Sequence, residues 1–243
     1  MQNRQNMKDH TLSKVSFWAY DIFGYLLPGT ILLAAFAKSN SYVYDIIETH
    51  WDSTNYLDIV IVIAIAYTLG HVVSALSSYI LERAILRKLI GYPTTQMFDT
   101  PKNKKSLLRI ITPGYLRAYS QQFQDRFKEL FDRRFGLVNY DEHDYFWLCW
   151  SYISYNHPVA YRRATHFLEL YGFTRNMSMT FLLISTATIY PGWTAFINPC
   201  IYSIIFLFAG IILFSNYVKL LRRLNDEVYR AFVAYESETH TVS

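Results

Sequence analysis

The stretch "LDIVIVIAIAYTLGHVVSALSSYI", Leu57 to Ile80, decides the fold. Its only acid is Asp58, at the leading edge, and no Lys or Arg interrupts it. A helix needs about 20 mainly apolar residues to cross the hydrocarbon of a bilayer. This stretch meets that length, and it predicts a transmembrane helix. Three other apolar runs flank it in the chain: Phe17 to Ala37, Met177 to Ile189 and Cys200 to Val218. The first and last are long enough to span. The Met177 run is short unless it starts near Phe173 or takes in "YPGW". The mean hydropathy of the whole chain is only +0.08. The apolar residues are therefore gathered into these runs, and the rest of the 243 residues is polar enough to face water.

Charge gives the runs a direction. With four spans, every Lys and Arg except Lys38 falls on one side of the membrane. Arg4, Lys8 and Lys14 precede the first span, and Lys219, Arg222, Arg223 and Arg230 follow the last. Basic residues are retained on the cytoplasmic side. Both termini are thus predicted inside, at the inner membrane of a cell. Trp18, Tyr20, Trp51, Tyr56, Tyr190 and Trp193 stand near the span boundaries, where aromatic anchors collect.

The expected fold class is an all-α membrane protein, with four transmembrane helices and a helical cytoplasmic lobe inserted between helices 2 and 3. The expected segments are a cytoplasmic start (1–16), a first transmembrane hairpin (17–80), the lobe (81–175), a second hairpin (176–218) and a cytoplasmic C-terminal helix and tail (219–243). A second reading takes residues 1–37 as a cleaved signal peptide, with a basic start and "AFA" before Lys38. The length of that start and the acid Asp21 favour a span.

Within the lobe, Leu116, Tyr119, Phe123, Phe127, Leu130 and Phe131 recur at helical spacing between Pro113 and Phe135, and Gly136 suits the end of that helix. A second helix is expected to run to Asn156, and Pro158 fits the first turn of a third. That third helix is expected to continue through Gly172 into the third span. The two cysteines, Cys149 and Cys200, lie in apolar surroundings and read as buried thiols rather than a disulfide or zinc set.

Two spans carry unusual chemistry. In "YDIFGYLLPGT", Tyr20 to Thr30, Pro28 cannot donate to the carbonyl of Gly24, and Gly29 loosens the next turn. A kink is predicted, serving either helix packing or a hinge in a pore wall. In lipid the freed carbonyl needs a partner. Asp21 suits the positive end of the helix macrodipole. In the second span Thr68, His71, Ala75, Ser78 and Glu82 share one helix face, with Ser74 beside them. Small and hydroxyl residues allow close helix approach in membranes, and ionisable residues there face protein or water. Asp21, Gly24, Pro28, Gly29, Thr68, His71 and Ser78 are the candidate pore or hinge residues.

Segment 82–176 holds 15 Lys or Arg against 9 Asp or Glu. Lys102, Lys104, Lys105, Arg109, Arg133, Arg134, Arg162 and Arg163 are the candidate contacts for an anionic ligand, among interleaved aromatic residues. The same excess also follows from retention of basic residues inside. Enzyme signatures are missing: there is no His-Glu-x-x-His, phosphate-binding glycine loop or nucleophile elbow. "DEHD", Asp141 to Asp144, reads as helix capping, and no metal, cofactor or catalytic residue is expected. An intramembrane enzyme would rest on Asp21 and His71 alone.

The segments "WAYDIFGYLLPG" (Trp18–Gly29), "LYGFTRN" (Leu170–Asn176) and "FSNYVKLLRRLNDEVYRAF" (Phe214–Phe232) resemble small multi-pass membrane effectors of bacterial anti-phage signalling systems, of the Hailong channel type. The resemblance covers these three segments. It implies a homo-oligomeric channel controlled by a nucleotide or oligonucleotide, with a companion nucleotidyltransferase, and it assigns no ligand-binding residue. The expectation is an oligomeric inner-membrane effector or ion channel, gated through the basic lobe and depolarising the membrane in defence against phage. The alternative is a membrane scaffold or partner subunit without a pore.

Overall fold

The structure is a computed structural model and describes residues 21–39, 56–91, 97–98, 117–136, 142–189 and 199–241. The described residues are almost all helical, with no strand among them. Helix α1 begins as a wide π-helical turn, Ile22–Leu26, and continues as an α-helix over Leu27–Ser39. Helix α2 is α-helical over Tyr56–Ser77 and π-helical over Ser78–Ile90. Then come α3 (Gln121–Phe135), α4 (Glu142–Asn156), α5 (Pro158–Thr188) and α6 (Pro199–Thr241). Two of these, α2 and α6, are long and apolar enough to cross a membrane, and α1 is apolar but shorter.

The chain divides into two compact units. The first takes Met1–Arg83 with Gly172–Phe214, and the second Ala84–Tyr171 with Ser215–Ser243.

In the first unit, α5 is the buried helix. Residues 174–180 are buried without a break, so protein surrounds this part of the helix. That explains its low hydropathy: Thr174, Arg175, Asn176, Ser178 and Thr180 meet protein rather than lipid. Ser178 donates to the carbonyl of Gly210 on α6 (2.8 Å), and the Ser185 and Ser203 hydroxyls lie 3.2 Å apart. Small residues thus seat α6 against α5. The outer faces of α2 and α6 are apolar: Ile59, Val60, Ile63, Ile204, Phe208 and Ile212 are all exposed.

The second unit has an aromatic core. Phe127, Leu130 and Phe131 of α3 are buried, as the helical spacing requires. Phe127 meets Phe98 (4.8 Å), Tyr229 (5.4 Å) and Phe232 (5.7 Å). The last two are edge-on, and aromatic pairs of this kind add about 0.5–1.5 kcal/mol each beyond their burial. The Tyr152 hydroxyl donates to Glu236 Oε2 (2.6 Å), and burial, then this bond, push the phenol up to about 12. Helix α3 starts later than its apolar spacing suggests. Residues 117–120 are not helical, and the Ser120 hydroxyl accepts from the Phe123 N–H to cap the first turn. At the other end Gly136 adopts φ 87°, the left-handed region that favours glycine. Cys149 is buried, and desolvation raises its thiol well above the ordinary range. Cys200 is exposed rather than buried, since it sits in the first turn of α6.

Candidate functional site

Two polar constellations emerge, one in each unit. The first surrounds the π-helical turn of α1. The Leu27 N–H reaches back to the Ile22 carbonyl, widening the turn ahead of Pro28. The Gly24 carbonyl that Pro28 cannot serve receives the side-chain amide of Asn176 on α5, at 2.8 Å. Gly24, Pro28 and Gly29 are all buried. The Asn176 carbonyl oxygen in turn lies 2.8 Å from the Ser77 hydroxyl on α2. That hydroxyl has one proton, which it offers either here or to the Ser74 carbonyl (2.8 Å).

Beside Asn176, Arg175 forms an ion pair with Glu82 of α2 at 2.9 Å. Its other nitrogens approach the Ser74 hydroxyl (3.3 Å) and the Asn176 oxygen (3.4 Å). The side chains are 10% and 21% exposed, so the pair is largely desolvated. One connected network therefore ties α1, α2 and α5 together through Gly24, Asn176, Ser77, Ser74, Arg175 and Glu82. Arg175, Asn176 and Ser77 were not among the sequence candidates. The signal available was a charge and an amide side by side at the start of an apolar run.

The sequence stripe on α2 lies to one side of this packing face. Ala66, Gly70, Val73 and Ser77 are the buried residues, whereas Thr68, His71 and Ala75 are exposed and Ser78 is half-buried. Thr68 donates to its own helix at the Ala64 carbonyl (2.8 Å). His71 stacks on Tyr25 (4.1 Å, 18°) and meets Tyr67 edge-on (4.6 Å). Asp21 stands at the start of the π-helical turn and makes no capping bond through its side chain.

The second constellation is a cleft of about 780 Å³ in the basic unit. It is lined by Arg117, Tyr119, Phe123, Lys219, Arg222, Arg223, Asp226 and Arg230, which makes five cations against one carboxylate. Tyr119 is the fixed point of the wall. Its N–H donates to the Met97 carbonyl (2.9 Å), its carbonyl accepts from Gln124 Nε2 (3.0 Å), and its hydroxyl donates to Asp226 Oδ1 (2.7 Å). Burial, then the bond to Asp226, hold the phenol far above its usual range, so it stays a donor. Asp226 also accepts from Arg230 Nε (2.8 Å), and the Arg230 guanidinium lies 5.8 Å from the Tyr119 and Phe123 ring centres. Arg222 Nη2 donates to the Arg117 carbonyl.

The ligand candidates from sequence are placed elsewhere. Lys102, Lys104, Lys105 and Arg109 lie outside the described residues. Arg133 pairs with Glu129 (2.7 Å) along α3, and Arg134 lies over the Tyr152 ring (5.1 Å). Arg162 and Arg163 are exposed on α5. None of these four lines the cleft. Among the described residues no group of three His, Cys, Asp or Glu side chains is placed to hold a metal ion.

No protein-family description, curated protein or solved structure matches this chain.

Proposed function

We propose that the chain is a four-span inner-membrane protein with both termini in the cytoplasm, assembling with copies of itself into a channel that an anionic ligand controls through the basic unit. The observation that carries this reading is the outward face of α2. Apolar side chains there suit lipid, but Thr68 and His71 interrupt them. Tyr25 and Tyr67 cover part of the His71 ring, and the imidazole that stays exposed is expensive against hydrocarbon, so water or a neighbouring subunit covers that remainder. A ring of subunits meeting along this face would set His71 beside a wet axis. In such an assembly α1 and α5 complete the span count, α1 by its apolar composition and α5 by its buried position. The resemblance to anti-phage membrane effectors adds a role: opening would depolarise the membrane of an infected cell.

A second reading, a scaffold without a pore, has its own observation. The Gly24 carbonyl is bonded to Asn176 within the chain, so the kink needs no water-filled axis to satisfy it.

Two measurements test these readings. For topology, single cysteines are placed at Asp45, Thr194, Asn103 and Ser237 in a background without Cys149 and Cys200. Asp45→Cys and Thr194→Cys are expected to react with an impermeant maleimide from outside intact cells, and Asn103→Cys and Ser237→Cys only after permeabilisation. External labelling at Asn103→Cys defeats the four-span topology. For the pore, His71→Leu is expected to change single-channel conductance while leaving membrane yield near that of the parent. Currents identical to the parent's, or none from the parent with any nucleotide, leave the scaffold.

A further inference from the structure

We infer that the cleft formed by Arg117, Lys219, Arg222, Arg223 and Arg230 is a phosphate-binding site, taking a phosphoryl anion from a free nucleotide or from a lipid headgroup. The inference rests on the reading of the basic unit as the ligand receiver, and it locates that function on different residues from the ones the charge runs indicate.

Three observations carry it. First, the cations converge from separate elements: Arg117 from the segment before α3, and the other four from one stretch of α6. Along α6, residue 222 follows 219 by three, 223 follows 219 by four and 230 follows 223 by seven, so they share one flank of the helix. Second, the wall is built rather than incidental. Tyr119 is held by three hydrogen bonds, and it fixes Asp226, which orients Arg230 through Nε. A guanidinium restrained in this way loses less freedom when it binds, and its fork matches phosphate oxygens. Third, the cleft carries an excess of cations over carboxylates. Lys219 and Arg223 are exposed and form no ion pair among the described residues, while Asp226 is already engaged by Tyr119 and Arg230. The volume, about 780 Å³, admits a nucleotide-sized molecule.

Both sources of phosphate fit that chemistry. Lys219, Arg222 and Arg223 follow directly after the apolar run that ends at Val218, where basic clusters meet anionic headgroups. Equally, the faces of Tyr119 and Phe123 are beside the cations, where a nucleotide presents its ring.

The test uses the full chain in nanodiscs, with a paired variant, Lys219→Gln with Arg223→Gln. These two side chains support no described contact of the fold, so folding is expected to be preserved, and the unfolding temperature checks it. Arg222 is left in place because it bonds the Arg117 carbonyl. In the first arm, pyrophosphate and ATP are titrated into protein held in neutral phosphatidylcholine. In the second, phosphatidylglycerol retained by the purified protein is counted. Loss of two charge-assisted contacts is expected to weaken binding by about tenfold or more, with a shallower dependence on salt. If ATP or pyrophosphate binding falls in the variant, the source is a soluble phosphate. If only the retained phosphatidylglycerol falls, the source is a headgroup. A folded variant that matches the parent in both arms overturns the site, as does a parent that binds neither probe. The topology and conductance results stand apart from this outcome, so a failure here removes the site without removing the membrane reading.

Discussion

Arg175→Met is expected to lose about 3–5 kcal/mol of stability in the first unit, because it takes away the guanidinium 2.9 Å from Glu82, whose charge lies largely out of water. The pair itself is a different matter. Two charges taken out of water lose hydration that their attraction only partly restores, so an apolar pair of similar volume can serve as well. Arg175→Met with Glu82→Met is therefore expected to recover much of what the single change loses. Glu82→Gln keeps an acceptor oxygen for the Arg175 guanidinium at 2.9 Å, and falls between the parent and Arg175→Met. The measurement is unfolding in mixed micelles, followed by tryptophan fluorescence, arranged as a double-mutant cycle. A double variant no better than Arg175→Met would show that the network holds by shape rather than by paired charge. Asn176 makes the prediction sharper. It takes the Gly24 carbonyl and faces Ser77, so Asn176→Leu leaves a buried carbonyl without its donor while Glu82 keeps its partner.

The sequence showed the helices clearly and the partners poorly, for physical reasons that differ by residue. Phe127, Leu130 and Phe131 are buried where a period of 3.6 places them, and Pro158 opens α5 where a missing N–H does no harm. Tyr119 shares that period yet lies outside α3. Its ring serves the helical pattern on paper, while in the fold its backbone is bound to Met97 and Gln124. The α2 stripe lies beside the packing face rather than on it: hydroxyl and small residues occur on both sides of the helix, and the buried face is marked by Ala66, Gly70, Val73 and Ser77. Arg175 and Glu82 stand 93 residues apart, and nothing local to either names the other. The cleft was hidden in the same way. Lys219, Arg222, Arg223 and Arg230 read as flanking charge after a span, and Arg117, far earlier in the chain, completes their site only through folding. The three segments that carry the resemblance contain Gly24, Arg175, Asn176 and the α6 cations, so they hold much of both constellations.

Adding one methyl group at Gly29 or Gly70 is expected to separate α1 from α2. A Cβ built on Gly29 lies 1.8 Å from the Ala66 carbonyl oxygen and 2.7 Å from the Gly70 nitrogen. One built on Gly70 lies 1.9 Å from the Tyr25 carbonyl oxygen and 2.6 Å from its carbon. All of these are backbone atoms, so no side chain can rotate away, and a helix must move. Overpacking of this kind typically removes about 1–3 kcal/mol, and a rigid obstacle puts it at or above the upper end. The displacement also reaches the polar network, since Gly24 sits one turn from Gly29 and its bond to Asn176 is already at 2.8 Å. Gly29→Ala and Gly70→Ala are each expected to lower the amount of folded protein severely, and together to cost little more than either alone, because the first already opens the gap. Gly210→Ala supplies the comparison: its nearest neighbours are Leu182 side-chain atoms at 3.0 Å, which can yield, so the loss is smaller. Gly136→Ala meets no atom within 4 Å and is strained only by its φ of 87°, about 1 kcal/mol, in the other unit. Fluorescence-detected size-exclusion of the four single variants and the double variant reads the order directly. A tolerated Gly29→Ala, or losses at 29 and 70 that add in full, would mean that α1 and α2 do not meet backbone to backbone, and the Asn176 bond to Gly24 would lose the close packing that sets it.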